Sequence, residues 1–308
     1  MIPTITKNYQ NVVISTGNII NNELGQRQSN EELYDGLQKT LHDDPKSSTS
    51  DSVVVEIDKL HGRVLCATQE LNSKLTENGR NEISIGAKIF LNKNSTESVN
   101  EALEALLNIL NVTHVDNVVL AYHPNVASAT PLATTTPRSP CAEAAAAAAA
   151  VSSGGAPSSN SSSVTDSANS WSARNGDQGI SDLKILYKGL ERYALKQQIK
   201  QLGIADLDAK ALAEIYKTSE VAPSIAQVNL AACCVVPVEL QEFCRDHELV
   251  LNTHSDPELL LPEERFSFLA PGYTIDWSLR YQVYVRCRGV LTAKGYIVGA
   301  SKPSRANN

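Results

Sequence analysis

The apolar positions of this chain fall into short runs of two kinds that alternate along it. Asn11 to Ser15 (NVVIS), Ser52 to Ile57 (SVVVEI), Glu82 to Leu91 (EISIGAKIFL) and Asp116 to Tyr122 (DNVVLAY) are brief, rich in branched residues and read as strands. Between them apolar residues recur at helical spacing. Leu33, Leu37 and Leu41 follow the capping box Ser29-Asn30-Glu31-Glu32, and Val99, Leu103, Leu106 and Leu110 run through the box Ser98-Val99-Asn100-Glu101. Leu60 to Leu75 is predicted as a further helix. From Leu183 the alternation resumes, with Leu186, Tyr187 and Leu190 marking a helix and Ile199 to Ala205 a strand. A helix carrying Leu207, Ala211 and Ile215 follows. Gln227 to Leu230 is then a strand, Val236 to Asp246 a helix with Leu240, Phe243 and Cys244 at its spacing, and Leu249 to His254 a strand. A helix from about Asp276 to Cys287 and a strand near Val290 complete the pattern.

Two strands joined by one helix in so few residues lie parallel, since antiparallel neighbours need only a hairpin. Eight strands in that order predict an α/β fold, a closed (β/α)8 TIM-type barrel rather than an open sheet. Residues 125–179 break the pattern with Pro, Ser, Thr, Gly and an alanine run from Ala144 to Ala150. Such a composition buries too little apolar surface to offset chain entropy. It reads as a disordered insertion after the fourth strand, within a single domain spanning 1–308.

Composition excludes more than it assigns. The chain is 42% hydrophobic and 20% charged, ordinary for a globular protein, and its net charge of -7 argues against a nucleic-acid partner. No apolar run is long enough to span a bilayer, and the N-terminus shows no secretory pattern, so no membrane and a cytoplasmic location are expected. The six cysteines (Cys66, Cys141, Cys233, Cys234, Cys244, Cys287) lack CxxC spacing. Neither a metal site nor a disulfide framework fits, and free thiols in a reducing compartment are expected. Cys244, on the inner face of its helix, is expected in the core; Cys287 is left undecided.

Charge is distributed unevenly. From Trp277 onward stand Arg280, Arg286, Arg288, Lys294, Lys302 and Arg305, with no Asp or Glu, against 21 basic and 34 acidic side chains elsewhere. With Trp277, Tyr281 and Tyr284 interspersed, this stretch has the composition of a docking surface; a phosphate grip followed by a solvated tail is the alternative.

Four stretches carry a resemblance: STGNIIN at 15–21 with EELYDGLQKTL at 31–41, SIGAKIFL at 84–91, the QVNLAACCVVP run from Gln227, and LRYQVYVRCRGVLTAKGYI at 279–297. With these the chain resembles the glutamate–cysteine ligase modifier (regulatory) subunits, relatives of the aldo-keto reductase barrels. The resemblance implies a non-catalytic partner of the ligase catalytic subunit in glutathione synthesis. That partner would form a heterodimer with it, raising its effective affinity for glutamate and relieving feedback inhibition by glutathione. It also implies a C-terminus shorter than the reductases' own.

The alternative is a working NADPH-dependent aldo-keto reductase. Reduction of a carbonyl leaves an alkoxide, so a proton donor must face the oxygen. The reductases use a Tyr, its pKa lowered by a Lys and an Asp, with a His nearby. Asp58 and Lys88 match two of these positions, but no Tyr occurs between them. Tyr122-His123 ends the fourth strand, and neighbours on a strand face opposite ways, so at most one reaches the mouth of the barrel. No catalytic residue and no required cofactor are therefore expected. Lys88, Gln227, His254 and Lys294 are candidates for a vestigial dinucleotide pocket, with residual NADPH binding as the open alternative; Ala205-Asp206 stands where the reductases carry Ser-Asn. Cys233 and Cys234 sit at the end of the sixth strand. They are read either as small core residues or, as the resemblance implies, as a thiol that pairs with the catalytic subunit. The expected partner-binding set is Cys233, Cys234, Trp277, Arg280, Tyr284, Arg286 and Arg288.

Overall fold

Branched residues at alternate positions and capped helical stripes build most of the elements that the pattern predicts. The computed structural model describes residues 9–20, 28–42, 52–57, 62–67, 71, 75–124, 170–230 and 235–303. Its strands are β1 (Asn11–Ser15), β2 (Ser52–Ile57), β3 (Gly62–Ala67), β4 (Ile83–Leu91), β5 (Val115–Tyr122), β6 (Ile199–Ala205), β7 (Ile225–Asn229), β8 (Val250–His254), β9 (Thr274–Val285) and β10 (Val290–Ser301). The helices are α1 (Ser29–His42), α2 (Thr96–Ile109), α3 (Trp171–Leu195), α4 (Ala209–Thr218), α5 (Val238–Asp246) and α6 (Glu263–Leu269).

These strands form one mixed sheet in the order β2-β3-β1-β10-β9-β4-β5-β6-β7-β8. β4 to β8 pair in parallel, as the strand–helix–strand units require. The other half departs from expectation. β9 and β10 form an antiparallel hairpin wedged between β1 and β4, and β2 pairs antiparallel to β3. The described sheet therefore has ten strands, not eight, and is not uniformly parallel.

Two predicted helices contain strand. Leu60 to Leu75 does so only over Gly62–Ala67 (β3), with Leu71 and Leu75 helical and 68–70 and 72–74 outside the described residues, and Asp276 to Cys287 is mostly β9. In β9 the buried apolar residues Trp277, Leu279, Tyr281 and Val283 fall at every second position in one cluster, which is the period of a strand with one apolar face on the core. Their neighbours across the hairpin make room. Gly295 lies opposite Tyr281 and Gly299 opposite Trp277, and a Cβ at either glycine would overlap the facing aromatic side chain. Two other boundaries shift. The N-cap of α2 is Ser95, whose hydroxyl accepts the Ser98 N–H, so the helix begins before the box at Ser98. Of the expected insertion, 125–169 lies outside the described residues, but the part from Trp171 is helical. Trp171 is buried and its indole N–H donates to the Tyr122 carbonyl at 3.0 Å, tying the start of α3 to the end of β5.

One face of the sheet packs on α2 to α5 through residues such as Ile85, Ile89, Val118 and Leu120. The other face meets α1 and α6 through Ile14, Phe90, Val298, Leu37 and Phe266. This second face is concave. β4 and β8 are four strand spacings apart, about 19 Å on a flat sheet at roughly 4.8 Å per strand. Yet Lys88 on β4 is 3.1 Å from Asp256, two residues beyond β8, so the parallel strands curl around it. Among the described residues no helix is long and apolar enough to cross a membrane.

Candidate functional site

The concave face gathers charge where the parallel strands end. Asp206 follows β6 in a left-handed conformation (φ 64°), its backbone N–H donating to the Gln227 carbonyl at 2.8 Å. That conformation turns its carboxylate inward to accept from His254 Nε2 at 2.8 Å and His123 Nε2 at 3.2 Å. His254 Nδ1 accepts the Asp256 backbone N–H at 3.1 Å, which leaves the ring proton on Nε2, toward Asp206. Burial alone would raise the Asp206 carboxyl. The two imidazole hydrogen bonds and the Lys88 charge outweigh it and hold the group well below the usual carboxylate range.

Asp256 is the second anchor. It accepts from Lys88 Nζ at 3.1 Å and forms a two-pronged pair with the Arg280 guanidinium, one prong at 3.0 Å. The Asn229 side chain holds its backbone carbonyl at 2.7 Å. The side chains of Lys88 and Asp256 are 4% and 6% exposed, so the pair is effectively out of water. Burial pushes the Lys88 ammonium below its ordinary value, opposed by Asp256. Lys88, Arg280 and Tyr296 stand abreast on β4, β9 and β10. Beneath them is a polar cavity of about 100 Å³ lined by Gly86, Asn117, Gln282 and Tyr284 together with Lys88, Gln227 and Arg280.

This arrangement settles which residue of the 122–123 pair faces inward. His123 joins Asp206, whereas Tyr122 packs in the cluster on the helix-covered face, its hydroxyl pushed up to about 12 by burial. The phenol near the network is Tyr296, and its hydroxyl donates to Glu32 at 2.7 Å while burial raises its pKa. A general acid needs a transferable proton facing the substrate; Tyr122 packs in the cluster on the other face of the sheet, and the Tyr296 hydroxyl is engaged by Glu32. The residues also fit a phosphorylated dinucleotide poorly. Lys294 pairs with Glu32 at 2.5 Å, and the Asp206 carboxylate is taken up by His254 and His123. Gln227 lines the cavity with its Oε1 buried and without a hydrogen-bond partner in the structure. Asp58 lies outside the described residues, and among those described no group of three or more potential metal ligands converges. With NADPH and a simple aldehyde, the isolated chain is expected to show no cofactor oxidation above buffer; absorbance-monitored turnover abolished by Lys88→Met would overturn this.

The expected docking residues scatter. Trp277 and Tyr281 are fully buried, the Trp277 indole donating to Glu101 at 2.8 Å, so these two aromatic residues are core. Arg280 is committed to Asp256, and Tyr284 is half-buried beside the cavity. Arg286 is exposed but paired with Asp116, Arg288 is exposed, and Lys302 lies over the Tyr273 ring at 5.1 Å. Cys244 is buried as expected, and Cys287 is exposed. Cys233, Cys234 and Arg305 lie outside the described residues. Sequence reasoning missed Asp256 and Asp116 as anchors; Asp256 had a legible signal, an acid just past a parallel strand's C-terminal end.

No protein-family profile matches the chain. Curated relatives do. The chain is 27% identical over 303 residues to the glutamate–cysteine ligase regulatory subunit of Homo sapiens, covering 94% of this chain and 92% of that one, and equally so to that of Mus musculus. A putative regulatory subunit from Schizosaccharomyces pombe is 30% identical over 120 residues, 36% of this chain and 42% of its own. Solved structures that resemble it include an aldo-keto reductase from a Medee basin deep-sea metagenome library (13% identity, TM-score 0.37, 58% of this chain and 46% of that one). Another is an aldo-keto reductase of the silkworm Bombyx mori (16% identity, TM-score 0.35, 61% and 44%). Along nearly its whole length, the chain is similar to glutamate–cysteine ligase regulatory subunits.

Proposed function

We propose that this chain is a regulatory subunit that binds the catalytic subunit of glutamate–cysteine ligase and performs no chemistry itself. The observation that carries the reading is the similarity to regulatory subunits across 94% of the chain. The concave face supports it: among the described residues, Lys88 and Arg280 there are both held by Asp256, and Lys294 is held by Glu32. A site whose charges are spent on one another has little left to stabilise a transition state.

Such a subunit raises the partner's affinity for glutamate, and weakens inhibition by glutathione, only by binding one conformation of the partner better than another. Coupling of about 1–3 kcal/mol corresponds to roughly 5- to 150-fold in affinity. Mixing the full chain with purified catalytic subunit should give a one-to-one complex on size exclusion and a lower apparent KM for glutamate. Co-elution without any change in glutamate titration would reject the regulatory role. We further propose that Cys233 or Cys234 supplies a thiol to the intersubunit contact, and that the complex forms in the cytoplasm.

A further inference from the structure

A second charge cluster lies at the opposite end of the parallel strands. Asp116 opens β5 with its side chain 8% exposed, and three cations converge on it. Arg80 reaches Oδ2 at 3.0 Å, Lys200 reaches Oδ1 at 3.0 Å, and Arg286 pairs with the same Oδ1. Oδ2 also accepts the Ile85 N–H at 2.8 Å. Backbone carbonyls fix the guanidinium groups further: Ile83 takes Arg286 Nε at 2.8 Å and Arg80 at 3.1 Å, and His114 takes Arg80 at 2.9 Å. Glu82, an acid close in sequence, turns away and accepts the Gly79 N–H at 3.1 Å.

One carboxylate cannot neutralise three cations. The surplus is accessible: the Lys200 and Arg286 side chains are 50% and 43% exposed, and Arg288 is exposed two residues on. The cations come from the loop before β4, from β6 and from the turn after β9, so the positive spot is assembled by the fold. It also opposes the sign of the whole chain, whose net charge is -7. The His114 imidazole registers the surplus, its pKa lowered by burial and then by Arg80 and Lys200. Side chains already held by Asp116 and backbone carbonyls lose little freedom when a further carboxylate arrives.

We propose that this cluster docks an acidic segment of the catalytic partner, a Glu or Asp carboxylate entering between Lys200 and Arg286. The inference rests on the regulatory reading above and gives that subunit contact a place and a chemistry. The test is titration of the full chain with the catalytic subunit at low and raised salt. Lys200→Glu/Arg286→Glu is compared with wild type, and Lys200→Glu alone serves in case loss of the Arg286 contacts impairs folding, which thermal melts report. The expected result is affinity at least about tenfold weaker at low salt, with a flatter salt dependence, because rim charges act through long-range attraction. Folded variants that keep wild-type affinity and salt slope would overturn the docking surface alone. Failure of the wild-type chain itself to associate would sink the regulatory reading and this surface with it.

Discussion

Asp256→Asn is expected to cost about 3–5 kcal/mol of stability, because it leaves the Lys88 and Arg280 charges buried with no anion between them. The substitution preserves shape but removes the charge and turns one of the two acceptor oxygens into a donor, so the loss combines the missing anion with one lost acceptor. Urea titration should show a lower midpoint at an unchanged slope. Adding Lys88→Met should recover part of the loss, since one of the two orphaned cations is then gone; no recovery would mean that the Asn fails for steric reasons. The pH dependence has a definite sign. Asp256 and Asp206 are both held below the ordinary carboxylate value in the folded chain, and the Asp116 carboxyl is drawn down to about 2. A depressed folded pKa contributes stability that is fully present above the unfolded value of about 3.9 and is lost as pH falls toward the folded one. Stability should therefore fall from about pH 4 downward, and Asp256→Asn should make that fall shallower.

Why the parallel half was legible and the hairpin was not follows from what each strand faces. β4 to β8 carry dense apolar runs between helices with clear stripes, a pattern that short-range reading captures. In β9 the inward residues Ser278, Arg280 and Gln282 are polar because the concave face is polar there. Tyr284, at the next inward position, blurs the alternation and mimics a helical spacing with Trp277 and Tyr281. The acid-free tail misleads for a related reason. Arg280, Arg286 and Lys294 look unopposed in sequence, yet their carboxylates, Asp256, Asp116 and Glu32, arrive from the loop after β8, from β5 and from α1. At 122–123 strand alternation alone shows that the two side chains face opposite ways, but that His123 is the inward one depends on the register of the folded sheet. Asp206 reads in sequence as an acid that repels a ligand's oxygens; that two imidazoles converge on it depends on how the sheet curls, which no local pattern encodes.

Trp277→Ala is expected to cost about 3–5 kcal/mol, the range for emptying a fully buried aromatic site. The reason lies in the hairpin. β10 gives up a side chain at position 299 so that the indole can lie flat across the strand, and Gly299→Ala should cost about 1–3 kcal/mol through overpacking against that ring. The two changes touch the same space with opposite sign, so they should not add. In the Trp277→Ala background the methyl introduced by Gly299→Ala meets a void, and the double variant should be no less stable than Trp277→Ala alone. Denaturant midpoints of the four proteins in this cycle check the claim. Additive costs would show that the cost at 299 does not come from the approach of the ring. Non-additivity would establish that β9 and β10 are held together by this aromatic-on-glycine contact, and that the hairpin, which replaces an expected helix, is a specified part of the sheet.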